Sequence, residues 1–260
     1  MSLKVKYNGY MLSDAFIVSE IKRSSPDFRT TSTVINGKHG ESFNDATIGT
    51  REVSFQLVFA AANRYTIQDA ARILFDVLMT RTPKKLVFSD EKTREDKQLV
   101  RYAVPLGTFD VEEFIRAGRW TCRFIQHDPF LYYDSDSNSV TLKAKVPEKV
   151  AIGGNAPTYL VVRAKPSNGT KNFWIKNHTT NQAVYFKANF DGTAIITLDF
   201  ETGKATLTNS DGLDWTKVDG LLTKSRFFTV GGTETITSKA DKIKLEASCK
   251  CDISWRERWL

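Results

Sequence analysis

Paired carboxylates, paired thiols and scattered histidines are the residues of this chain that could carry chemistry. Glu112/Glu113 and Asp199/Glu201 are pairs of the type that acid–base hydrolysis of a glycan requires. Asp199 and Glu201 flank a strand end and its turn, where solvated carboxylates are ordinary. Cys249 and Cys251 stand one residue apart, closer than the two-residue gap of a zinc knuckle. The histidines, His39, His127 and His178, do not stand at metal-ligand spacing with another His or Cys. The string DSDSNS from Asp134 imitates the opening of a calcium loop. It has Ser139 where that loop needs Gly and Lys145 where it needs Glu, so it reads as a linker. No phosphate-cradling Gly-rich loop and no nucleophile elbow is present. The expectation is no catalytic residue, no metal and no cofactor. The remaining candidates are aromatic. Trp174, Tyr185 and Trp215 could stack on sugar rings, or could equally fill a core, since Trp and Tyr bury large apolar areas.

The elements that must position these residues fall into two groups. Up to Asp134 the chain reads as strands packed with one main helix. Residues 51–59 alternate, with Val53, Phe55, Leu57 and Phe59 on one face. Thr66 and Asp69 have capping-box spacing, and Ile67, Ala70, Ala71, Leu74, Val77 and Leu78 follow at helical spacing. Residues 30–35 read as a strand ending at Asn36-Gly37, a turn dipeptide. Residues 37–50 read as a long polar loop, of the kind that serves as a binding loop or arm. Trp120, Cys122 and Phe124 alternate toward an Asp-Pro stop.

After Ser139 the helix pattern disappears. Short strands are expected at 140–144, 158–164, 172–176, 183–188, 194–200, 205–208, 225–230 and 233–237, separated by turn residues such as Asp191-Gly192 and Thr202-Gly203. A long last strand is expected over 243–255. Its odd positions, Ile243 to Trp255, are apolar and include both thiols, which therefore read as small buried hydrophobes. Many short strands at this spacing predict an all-β sandwich. The expected organisation is a first domain over 1–134, a linker over 135–142 and a sandwich over 143–260.

At 260 residues the chain can build two cores. Its 41% apolar and 12% aromatic content fits a folded protein. No apolar run reaches the roughly 20 residues of a membrane span, and the first residues lack the apolar core of a signal peptide. The reading is a protein kept in a cytoplasm or assembled there into something larger. Three cysteines exclude a disulfide framework. Charge is uneven. Residues 1–136 hold 19 Lys and Arg against 18 Asp and Glu, and residues 137–260 hold 18 against 12. A basic second half can meet an anionic partner. Its lysines are scattered singly through strands, so it reads first as a solvated face.

Several stretches together carry a family resemblance. They are the helix TIQDAARILFDVLMT, then KKLVFSDEKTREDKQLVRYAVPLGTFD, then RWTCRFIQHDPFLYYD with its Asp128-Pro129-Phe130 turn. In the second half they are GGNAPTYLVVRA, FWIKN, TAIITLDFETGKATL and FFTVGGTETIT. Over nearly its full length the chain resembles the distal tail proteins (Dit type) of long-tailed phages infecting Gram-positive bacteria. The resemblance implies a structural, non-enzymatic virion protein of a phage or prophage. It implies an N-terminal α+β belt domain like the tail-tube fold, and a C-terminal galectin-like or carbohydrate-binding-module-like sandwich. It implies a homohexameric ring at the tail tip, joining the tail-tube protein to the tail-tip hub (baseplate) protein, with DNA passing through the lumen. The outward sandwiches would hold receptor-binding arms or touch the host cell wall. The competing reading is a lectin-like module that binds wall glycan through Trp174, Tyr185 or Trp215.

Overall fold

The computed structural model describes residues 3–37, 39–60, 65–93, 95–134, 137–188, 190–208, 214–215, 227–230 and 241–260. Two compact units divide the chain, Met1–Asp134 and Ser135–Leu260. The fold is mainly β, and among the described residues helices occur only in the first unit.

The first unit comprises β1 (Val5–Tyr7), β2 (Tyr10–Met11), a 3-10 turn (Leu12–Asp14), β3 (Phe16–Arg23), β4 (Phe28–Val34), β5 (Glu41–Ile48), β6 (Arg51–Phe59), α1 (Ile67–Leu78), β7 (Lys84–Phe88), β8 (Leu99–Pro105), α2 (Val111–Ala117), β9 (Arg119–Gln126) and β10 (Leu131–Tyr133). Seven strands form an antiparallel path in the order β2-β1-β7-β8-β9-β6-β3, and β10 pairs with the start of β8. Period-two alternation turns Val53, Phe55 and Leu57 of β6 and Cys122 and Phe124 of β9 to one face. There they meet Ala70, Ala71, Leu74, Val77 and Leu78, the buried stripe of α1. Phe55 stacks on Phe124 and meets Phe88 edge-on, so aromatic rings fill the centre of this core.

The N-terminus of α1 is fixed by the expected capping box. Asp69 N–H donates to Thr66 Oγ1 at 3.1 Å, and Thr66 N–H donates to Asp69 Oδ2 at 3.2 Å. The second helix, α2, was not expected. Asp110 caps it by accepting from Glu113 N–H at 2.9 Å, and Gly118 ends it in the left-handed region at φ 66°. Seven residues with Phe114 as the one buried position give too little periodicity to read.

The polar segment 37–50 is not a loop. Most of it is β5, which pairs with β4 from Val34↔Glu41 to Phe28↔Ile48 and leaves a short turn at the tip. Among the described residues this two-stranded ribbon pairs with no other strand.

The second unit comprises β11 (Asn138–Leu142), β12 (Glu148–Ile152), β13 (Leu160–Ala164), β14 (Asn172–Asn177), β15 (Gln182–Lys187), β16 (Ile195–Asp199), β17 (Lys204–Thr208), β18 (Asp214–Trp215), β19 (Asp241–Ala247), β20 (Cys251–Trp255) and β21 (Arg258–Trp259). One sheet runs β11-β20-β13-β16-β17-β18 and the other β12-β19-β14-β15. Their inner faces share a core that includes Leu160, Val162, Phe173, Ile175, Phe186, Leu198, Leu245 and Ile253, the arrangement of a β-sandwich. Residues 138–142, within the segment expected as linker, form β11 and pair with β20. The strand β12 was not expected. Of the strand expected over 225–230, the described residues 227–230 show only an isolated bridge, Thr158↔Val230, and 225–226 and 233–237 lie outside the described residues.

The last long strand is two strands. β19 lies between β12 and β14 in one sheet, whereas β20 lies between β11 and β13 in the other. Ser248 to Lys250 carry the chain across. Odd-numbered residues are inward on both sides of the crossing, and Cys249, at the bend, is only partly buried against the core.

Candidate functional site

Three places collect the side chains of interest. The first is the outer face of the β12-β19-β14-β15 sheet. Alternation buries Phe173, Ile175, Val184 and Phe186 and turns Trp174 and Tyr185 outward. These two are direct cross-strand partners, each half-buried. Lys176 Nζ lies 4.6 Å from the Trp174 ring centroid. Exposed Lys149, Lys187 and Lys244 share this face, so lysines that are scattered in sequence converge in space. Glu246 is engaged by His178, whose Nε2 stands 2.6 Å from Glu246 Oε2. Trp215 belongs to the other sheet, paired with Leu207, and its side chain lies outside the described residues. Two of the three aromatic candidates are thus brought together and the third is not.

The candidate acids are engaged structurally. Asp199 Oδ1 accepts from Glu201 N–H at 2.9 Å, and Asp199 Oδ2 accepts from Thr202 Oγ1 at 2.8 Å, which makes Asp199 a turn residue. Glu201 Oε1 accepts from Arg258 Nη2 at 2.5 Å. Glu112 and Glu113 are exposed in the first turn of α2, where the helix dipole favours negative charge. Burial pushes the Cys251 thiol up to about 12, and burial also raises Cys249 and Cys122. Such thiols are poor nucleophiles at neutral pH.

The second place is the β4–β5 ribbon. Its register puts Phe28, Ile48, Ala46, Phe43 and Val34 on one face and Arg29, Thr31, Asp45, Thr33 and Thr47 on the other. Phe28, Val34 and Phe43 are 62%, 69% and 66% exposed. An isolated two-stranded ribbon is marginal in water, and this one presents an apolar face with no cover. Sequence reasoning missed it because β5 has no buried residue to mark its period. Pairing 28–34 with 41–48 around the Asn36-Gly37 turn would have found it.

The third place is a buried ionic cluster at the β7–β8 turn. Arg101 is 1% exposed and donates to Glu91, while Arg23 pairs with both Asp90 and Glu91. The guanidiniums of Arg23 and Arg101 stand 4.5 and 5.4 Å from the Phe88 ring centroid. Gln98 Nε2 donates to the carbonyls of Phe88, Glu91 and Leu99 at 2.8–2.9 Å. Glu91 alone of the described charged residues of this turn is turned inward, while Asp90, Lys92, Glu95, Asp96 and Lys97 stay exposed.

This geometry is one of packing, capping and projecting surfaces. The first unit is a helix-backed antiparallel sheet and the second a two-sheet sandwich, and each matches a domain of siphophage tail components. Residues 8–126 match the family described as phage tail protein RIFT-related domain, and residues 153–259 match the siphovirus-type tail component, C-terminal domain. The chain belongs to the Dit-type siphovirus tail components, and it is a structural tail protein rather than an enzyme. The crystal structure of the Dit protein of phage SPP1, a paradigm of the hub adsorption apparatus in phages infecting Gram-positive bacteria, shares its fold. There the TM-score is 0.74 at 17% identity, with 100% of each chain covered. A chain of the phage p2 baseplate in its activated conformation with Sr has a TM-score of 0.52 at 8% identity, over 98% of this chain and 97% of that one. No curated protein matches the chain by sequence. No helix among the described residues is long and apolar enough to cross a membrane.

Proposed function

We propose that this protein forms a homohexameric ring at the distal end of the tail, joining the tail-tube protein to the tail-tip hub and leaving a lumen for DNA. Residues 1–134 make the belt, a domain of tail-tube type, and the chain then leads through β11 into an outward galectin-like domain that extends to 260. Assembly takes place in the host cytoplasm, and the finished protein sits at the virion tail tip. The observation that carries this reading is the β4–β5 ribbon. An amphipathic arm with an uncovered apolar face requires a second surface, and a ring of like copies supplies one to every arm. Native mass spectrometry of the full chain tests it. A hexamer, alone or with tube protein added, is expected. Strict monomers at high concentration under both conditions would overturn it.

A second reading concerns the outward domain. The Trp174–Tyr185 pair on an exposed, lysine-bearing sheet face favours binding of host cell-wall glycan, with the aromatic rings as platform. Titration with wall polysaccharide should quench or shift Trp emission, and Trp174→Ala should abolish the response. No response to any wall fraction would leave this domain as a bracket that holds receptor-binding arms.

A further inference from the structure

A ring of like copies needs two different patches on each protomer, one to give and one to receive. The arm is the first. The first unit carries another uncovered apolar patch, where α1 ends against the segment before α2. Phe75 and Met79, one helical turn apart, are 42% and 56% exposed, and Leu106 is 38% exposed. Met79 and Leu106 line a groove together with Leu78, Phe109, Trp120 and Arg123, among others. Within one chain both patches stay exposed, so the arm does not cover the groove of its own copy.

We propose that the apolar face of the β4–β5 arm seats in this groove of the next copy, with Phe43 entering beside Met79. The assignment rests on the ring reading above and names the contact that closes the ring. Charge supports the second copy as occupant. Glu41 is the one ionisable residue on the arm's apolar face, two residues from Phe43. Arg123 is the one charged residue lining the groove. Its present partner, Glu52, lies 3.3 Å away with both side chains more than half exposed, a weak pair that can be exchanged. A giving arm and a receiving groove on different parts of one surface make a head-to-tail contact, which repeats until it closes.

Disulfide capture tests the pairing. In a Cys249→Ser background, Phe43→Cys with Met79→Cys should yield, on mild oxidation, a ladder of covalent multimers extending to six. Either cysteine alone should give no species beyond a dimer. Phe43→Ala should weaken association at least tenfold and leave the melting temperature of the dissociated chain unchanged, since Phe43 is exposed there. Native hexamers without a ladder would overturn the arm-in-groove contact and leave the ring standing. A wild-type chain that never associates would overturn both.

Discussion

Arg101 lies against Glu91 with both side chains almost withdrawn from water, at 1% and 9% exposure. Burial pulls the Arg101 pKa down to about 10, against the opposing pull of Glu91. The pair belongs to one net: Arg23 reaches the same carboxylate, and Gln98 ties the turn from the other side. Removing Glu91 strands the buried Arg101 charge, whereas removing Arg101 leaves Glu91 paired with Arg23. Glu91→Gln should cost about 3–5 kcal/mol and Arg101→Ala less, whereas Arg101→Met with Glu91→Leu should cost far less than Glu91→Gln. Urea unfolding of the first unit measures this, and additive losses in the double variant would contradict it.

The cap of α1 has a definite pH dependence. The hydrogen bond from the Thr66 side chain, then that from its backbone N–H, holds the Asp69 carboxyl below the usual range. A depressed acid contributes stability that is present above its unfolded pKa and lost as pH falls through the folded one. Asp69→Asn should therefore lower the melting temperature at pH 6 and make no difference at pH 2. A gap that persists at pH 2 would show that charge is not the cause.

Thiol chemistry should be slow. With Cys122 and Cys251 buried and all three thiols raised by burial, a maleimide at pH 7 should label the native chain at Cys249 or nowhere. Mass spectrometry of digested, labelled protein gives the answer, and rapid labelling of Cys251 would mean that the corner between β19 and β20 opens.

The two strands of the crossing should matter alike. Leu245 faces the core from one sheet and Ile253 from the other, both fully buried. Leu245→Ala and Ile253→Ala should each destabilise the second unit by about 2–5 kcal/mol. Calorimetry of the full chain should show that loss in one transition, with the first unit's melting unchanged.

Much of this architecture was legible because burial prints a period on sequence. The helix α1 shows both cap and stripe, and β9 and β14 alternate cleanly. What could not be read left no such print. β5 is exposed on both faces, so nothing distinguished it from a loop. The crossing at Ser248 to Lys250 leaves odd residues inward in both strands, so two strands read as one. Arg101 stands between Leu99 and Ala103 in inward register, and only the fold brings Glu91 beside it to accept its charge. Trp174 and Tyr185 were separate candidates, and only the register of β14 on β15 makes them a pair.

The crossing of the last long strand also sets how the second unit bears force. A sandwich whose sheets touch only through side chains can be sheared apart layer from layer. Here β19 sits mid-sheet on one side and β20 mid-sheet on the other, joined by three residues of backbone. Tension applied to either layer passes into its opposite through this covalent link as well as through side-chain contacts.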